Sequence, residues 1–116
     1  LRGMSDSVRQ LVVVLLPRGL CRVEVVAQHL GIDRRTVARR LADERTSFSD
    51  LLNDLRRDLF ERYRSDGARS LTEVSALLGF SALSAFSRWH RQQFGIPARK
   101  FKSNPAAIAG GKQSAG

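Results

Sequence analysis

The sequence predicts an all-α chain, with about seven helices forming two helix-turn-helix units joined by a long linker helix. Three observations predict it. Phe48 to Ser65 carries Phe48, Leu51, Leu52, Leu55, Leu59 and Tyr63 on one stripe, the clearest helical period in the chain. Val23 to Asp43 and Leu71 to Phe94 each read as a short helix, a Gly-centred turn and a basic helix. The two copies are also in register. Gly31 matches Gly79 at an offset of 48 residues and Val37 matches Phe86 at 49, because the second turn carries one extra residue.

At the N-terminus, Val8, Leu11, Val12, Leu15 and Leu16 share a face, predicting a helix that packs on the first unit and ends at Pro17-Arg18-Gly19. Its apolar run, Leu11 to Leu16, is six residues long. A signal core needs about 7–15 and a membrane span about 20, so no membrane role is expected. In the first unit Val23, Val26, Ala27 and Leu30 form the apolar side of a helix, Gly31 and Ile32 form the turn, and Asp33 caps a helix from Arg34 to Asp43. Val37, Leu41 and the stem of Arg40 face inward; Arg35, Ala38, Arg39 and Ala42 face outward beside Thr36.

Ser47 is positioned to cap the linker helix, roughly 27 Å long at 1.5 Å per residue, and Asp66-Gly67 ends it. Ser70 and Glu73 have the spacing of a capping box ahead of Val74, Leu77 and Leu78, predicting a helix from Leu71 to Leu78. Gly79 supplies the turn, Phe80 anchors it, and Ser81 is the expected cap of a helix from Ala82 to Phe94. On that helix Ala82, Phe86, His90 and Gln93 fall inward, while Ser84, Ser87, Arg88 and Arg91 fall outward. Trp89 borders the packed side and is expected in the core. The chain thus divides into residues 1–46, 47–66 and 67–102. Ser103 onward, rich in Ala, Gly and Ser, is expected to be a disordered tail.

Net charge is +9 and the pI is near 11.4, a surplus that favours a polyanion through counterion release and long-range attraction. Of 20 basic residues 17 are arginine, which suits bidentate pairing with phosphate or guanine, although genomic base composition yields the same bias. Arg34, Arg35 and Arg39 stand at or near one exposed face, and Arg88, Arg91 and Arg99 at the other. A solvated face explains one such helix; its repetition favours nucleic acid. Catalytic, metal and cofactor sites are not expected. His29 and His90 are far apart, and there is no H-E-x-x-H, Gly-rich phosphate loop or Cys cluster. Cys21 is the single cysteine, which rules out a disulfide within the chain and suits a reducing cytoplasm.

Gly79-Phe80, Phe86-Ser87-Arg88, Phe94-Gly95, Pro97 and Phe101-Lys102, with Arg34 to Val37, Arg39 to Leu41 and Thr46-Ser47-Phe48 upstream, resemble the DNA-binding domain of the AraC/XylS family of bacterial transcription regulators. The resemblance covers about Val23 to Lys102 and is densest from Val74. It implies seven helices, base-facing positions at Arg35, Ala38 and Arg39 in the first reading helix, and base-facing positions at Leu83, Ser84, Ser87 and Arg88 in the second. Of these, Arg39 and Arg88 are the expected direct readers of guanine, Ser84 and Ser87 short donors or acceptors, and Leu83 a contact for a thymine methyl. Arg34, Thr36, Arg91 and Gln92 are expected on phosphates.

Four positions depart from the family pattern. His90 replaces an apolar aromatic residue and Ser75 an alanine, predicting looser packing of the second unit. Pro97 stands one residue early, with Ala98 in its usual place, and Arg22 replaces a Ser or Thr cap. Members usually carry an N-terminal effector-binding or dimerisation domain, so a longer regulator is expected, with RNA polymerase as a candidate second partner. Two other classes stay open on the residues alone: a helical module binding an acidic protein, and an RNA binder, which the scarcity of exposed aromatics disfavours.

Overall fold

The computed structural model describes residues 3–98. These form six α-helices and one 3-10 turn: α1 (Met4–Leu15), the turn Leu16–Arg18, α2 (Val23–Leu30), α3 (Arg34–Asp43), α4 (Phe48–Asp66), α5 (Leu71–Leu77) and α6 (Leu83–Phe94). The all-α expectation is met, with one helix fewer than the seven implied. The short helix expected past Pro97 lies outside the described residues, as do Arg99, Lys102 and the tail.

Local chemistry starts the helices where the sequence predicts, with one exception. Asp33 accepts from the Thr36 backbone N–H at 2.7 Å, Ser47 from Asp50 at 3.1 Å, and Ser70 from Glu73 at 3.1 Å, with the Glu73 carboxylate returning to the Ser70 N–H. The exception is Ser81, which does not cap α6. The N-cap is Ala82, extended at φ −148° and without a side-chain bond, so the turn runs one residue longer and the helix begins at Leu83. Arg22 likewise precedes α2 without a capping side chain. At α1, Gly3 has no side chain to offer, and the cap comes from across the fold. Glu44, at the end of α3, accepts from the Met4 N–H at 2.7 Å and from the Ser5 hydroxyl at 2.7 Å. The Ser5 hydroxyl first, then its backbone N–H, hold that carboxyl below the usual range.

Two apolar clusters follow. The first joins Val8, Val12, Leu15, Leu16, Val26, Ala27, Val37, Leu41 and Leu51. The second joins Phe60, Val74, Leu78, Phe86, Trp89 and Ala98. Helix α4 serves both, but not by one stripe. Leu51 belongs to the first cluster and Phe60 to the second, and nine residues at 3.6 per turn place them on opposite sides of the helix. Leu59, between them, packs against both. The sequence stripe Phe48, Leu51, Leu52, Leu55, Leu59, Tyr63 therefore describes only part of what α4 buries. Phe60, absent from it, is 1% exposed.

The face of α4 that carries Phe60 also carries Asn53, Arg56 and Arg57, all half-buried. The Trp89 indole N–H donates to Asn53 Oδ1 at 2.9 Å, Arg57 donates to Gln93 Oε1, and Arg56 Nε donates to the Leu78 carbonyl at 2.8 Å. The Arg56 guanidinium also lies 3.9 Å from the centre of the Phe80 ring. Polar residues thus bind the second helix-turn-helix to α4.

His90 and Ser75 are both enclosed, contrary to the looser packing expected. The His90 ring lies 4.7 Å from Phe60 and 4.6 Å from Phe94, and its Nδ1–H donates to the Ile96 carbonyl at 2.8 Å. An aromatic shape with one internal polar bond fills the place of an apolar aromatic ring. Burial pushes this imidazole below its usual range, against smaller opposing pulls from the Ile96 carbonyl and from Glu61 on α4.

Two stability predictions follow from these contacts. Gly79 has φ +84°, and a Cβ there would meet the Leu16 carbonyl oxygen at 2.9 Å; Gly31 has φ +71° but open space around it. Both Gly→Ala variants incur roughly 1–2 kcal/mol for left-handed backbone, and Gly79→Ala must also displace the 3-10 turn. Thermal melts should therefore show a larger loss for Gly79→Ala; equal losses would mean that the Leu16 contact is slack. For His90, the folded state prefers the neutral ring, so the unfolded chain binds more protons below about pH 6.5. Stability should fall as pH is lowered from 7.5 to 5.5, and His90→Phe should flatten that slope. An unchanged slope in the variant would assign the pH dependence elsewhere.

Candidate nucleic-acid interface

With Val37 and Leu41 buried on α3, a 3.6-residue period turns Arg35, Ala38 and Arg39 to the far side, and all three are exposed. On α6 the buried residues are Phe86, Trp89 and His90. Ser84, Ser87, Arg88, Arg91 and Gln92 are exposed opposite them, and Leu83 is 44% exposed at the start of the helix. The two faces superpose at an offset of 49: Arg35 corresponds to Ser84, Ala38 to Ser87, Arg39 to Arg88, and Val37 to Phe86. The caps obey the same offset, Asp33 against Ala82.

Each reading helix borders a surface hollow. Arg34, Arg35 and Ala38 line one with Val23, Phe48 and Ser49. Leu83, Ser87, Arg88 and Arg91 line the other with Leu71, Pro97 and Ala98. Both hollows are lined by small or apolar residues together with arginines. Arg39, Ser84 and Gln92 lie outside these hollows, on the exposed surface of their helices.

Two of the expected contact residues, Arg34 and Thr36, are engaged within the protein, and Arg40 is placed differently from the expectation. Arg34 Nη1 pairs with Glu24 Oε2 at 2.8 Å, both side chains remaining more than half exposed. An exposed pair of that kind is weak and yields readily to a phosphate. Thr36 is half-buried, and its backbone N–H and hydroxyl both bond Asp33, holding that carboxyl below its usual range. Arg40, whose stem was expected inside, is exposed and borders a third hollow with Leu30, Ile32 and Glu44. It stands one turn from Val37, at the edge of the packed side, where a long side chain carries its guanidinium out to solvent.

Sequence reasoning missed Asn53, Arg56 and Arg57, which bond the second unit from behind its exposed face. Their signal was present as an i, i+3, i+4 set leading to Phe60 one turn on, but a polar face on a long helix ordinarily means solvent. Trp89, at 7% exposure, is packed in the core as expected and is not available to stack on a base. Among the described residues no group of His, Cys, Asp and Glu is placed to hold a metal ion, and no helix is long and apolar enough to cross a membrane. The described molecule measures 44 × 29 × 23 Å, so its long axis exceeds the ~34 Å between successive major-groove faces of a duplex.

Comparison with known proteins agrees with this architecture. A family model described as "Helix-turn-helix domain" matches residues 26–104. The HTH-type transcriptional regulator VirS of Mycobacterium tuberculosis is 36% identical over 100 residues, covering 86% of this chain and 29% of VirS. The crystal structure of the transcriptional regulator CdpR from Pseudomonas aeruginosa superposes with a TM-score of 0.66 at 31% identity, over 83% of this chain and 31% of that one. A DNA-binding transcriptional dual regulator from Escherichia coli K-12 shares the fold with a TM-score of 0.76 at 18% identity, over 90% of this chain and 99% of that one. The chain thus spans less than a third of VirS and of CdpR. With two helix-turn-helix units on one linker helix and a family match over most of its length, the chain belongs to the AraC-type helix-turn-helix family of transcription regulators.

Proposed function

We propose that this chain is a sequence-specific, double-stranded DNA-binding module of a bacterial transcription regulator, laying α3 and α6 in successive major grooves of one duplex. The observation that carries the reading is the matched pair of exposed faces, Arg35, Ala38 and Arg39 against Ser84, Ser87 and Arg88, on one body 44 Å long. In this reading residues 1–46 and 67–102 are the two reading units and 47–66 holds them apart. Arg39 and Arg88 read guanine, Arg35, Ser84 and Ser87 contact base edges, and Ala38 and Leu83 meet thymine methyls. Arg34, Thr36, Arg91 and Gln92 hold phosphates and set register. The module works in the cytoplasm, joined to an N-terminal effector or dimerisation domain, with RNA polymerase as its second partner.

A helical module for an acidic protein is less well supported. Among the described residues the large exposed apolar ones are Val13, Val14 and Leu20 in the N-terminal segment and Leu83 on α6, so the basic face of α3 carries none and that of α6 a single one, less than the apolar centre that protein interfaces use. Competition between duplex DNA, RNA and heparin at moderate salt separates the readings. DNA should win, and affinity should fall roughly a thousandfold or more between 50 and 200 mM salt if six to ten phosphates are contacted. A flat salt profile, or equal binding to every duplex, would overturn specific readout.

Residue roles are separable by substitution. Arg39→Ala and Arg88→Ala should each cost on the order of 1–3 kcal/mol and relax preference at one or two base pairs. Arg34→Ala should weaken all sequences about equally and make the salt slope shallower. Unchanged preference and affinity in a folded Arg88→Ala protein would remove that residue from the base contacts. Spacing tests the shared duplex. Inserting about half a helical turn between the half-sites turns the second to the opposite face, and a full turn of about 10–10.5 base pairs restores the face but not the distance. Footprints should shrink to one half-site in both cases; a complete footprint at the full-turn insertion would mean that the units bind independently.

A further inference from the structure

The apolar attachment of the second unit to α4 runs mainly through Phe60, which meets Phe86 at 6.0 Å, His90 at 4.7 Å and Phe94 at 5.4 Å between ring centres. Apolar burial holds the unit close but has little preferred direction. Hydrogen bonds do have one. Asn53 and Arg57, one turn apart on α4, bond Trp89 and Gln93, one turn apart on α6. These two rungs, about 6 Å apart along each helix, fix the angle between the axes. Arg56 adds a third point off that line, bonding the carbonyl of Leu78 at the end of α5 and covering Phe80. Two directional contacts to α6 and one to the end of α5 thus surround one apolar pivot between the second unit and the linker helix.

We propose that Asn53, Arg56 and Arg57 are positioning residues that determine which spacing between half-sites the protein accepts. The inference rests on the two-groove reading above. Its geometry is sensitive enough: a rotation of about 20° acting across the ~10 Å width of a helix moves the reading face by about 3.5 Å, one base-pair rise. Without the rungs, α6 still reads its bases but pivots on Phe60, and the pair of helices tolerates neighbouring spacings.

Duplexes selected from a random pool by the full chain test this, comparing wild type with the Asn53→Ala/Arg57→Met double variant. Wild type should recover two half-sites at one spacing and discriminate against a one-base-pair change by about tenfold, comparable with one mismatched base pair. The double variant should recover the same half-site sequences with spacings spread over neighbouring values, its discrimination falling to within about threefold on the same scale. A merely structural role would lower binding to all spacings alike. If the double variant is unfolded, Trp89→Phe, which keeps an aromatic ring and the charge but removes the donor, is judged by the same spread. A folded variant with the wild-type spacing and discrimination overturns the inference and leaves DNA reading intact. Recovery of no two-part sequence by wild type overturns both.

Discussion

Because Leu51 and Phe60 project from opposite sides of α4, that helix is a wall shared by two cores, and neither core closes without it. Helices as short as α2 and α5, of eight and seven residues, do not persist alone in water. Each borrows stability from a neighbour with an apolar face to share. On the first side α1 and Leu51 complete the cluster around Val37 and Leu41; on the second, Phe60 completes the ring cluster around Phe86. Placing both cores on one continuous helix lets two small units, each with little interior of its own, behave as parts of one body.

The N-terminal segment is a second brace. The 3-10 turn approaches so closely that only a missing side chain at Gly79 leaves room for the Leu16 carbonyl, although Leu16 itself is packed in the first cluster. Glu44 closes the other end of α1 against the last turn of α3. Structural demands therefore fall on the backs and ends of the reading helices. The outward residues of α3 and α6 make few contacts that the fold requires, and so their identities can answer to a ligand instead.

How much of this was legible follows from the kind of signal each element carries. The stripe of α4, the caps Asp33, Ser47 and Ser70, and the two Gly-centred turns are local, and local period and cap chemistry decide them. Arg35, Arg39, Ser87 and Arg88 could be assigned to outward faces because Val37 and Phe86 fix the inward ones. Phe60 was missed because it stands alone on a polar face, so no periodicity announces it. Asn53, Arg56 and Arg57 were missed for the converse reason: their partners, Trp89, Gln93 and Leu78, lie on other helices, and a charged stripe looks the same in sequence whether it meets water or a carbonyl. Ser81 carries cap chemistry but falls one residue before the N-cap, Ala82, because the turn after Gly79 runs one residue longer. Tertiary capping by Glu44 is likewise invisible to any local rule.

Trp89 is the sole tryptophan of the chain, and it sits at the joint between α4 and α6 with its indole N–H on Asn53. The protein therefore carries an intrinsic fluorophore at the seam between its linker helix and its second unit. Indole emission moves to longer wavelength when the ring is hydrated, so the spectrum reports whether this joint is shut, separately from helix content measured by circular dichroism. Opening of the joint in a still-helical protein would register as a colour change without loss of ellipticity, and no label need be attached to see it.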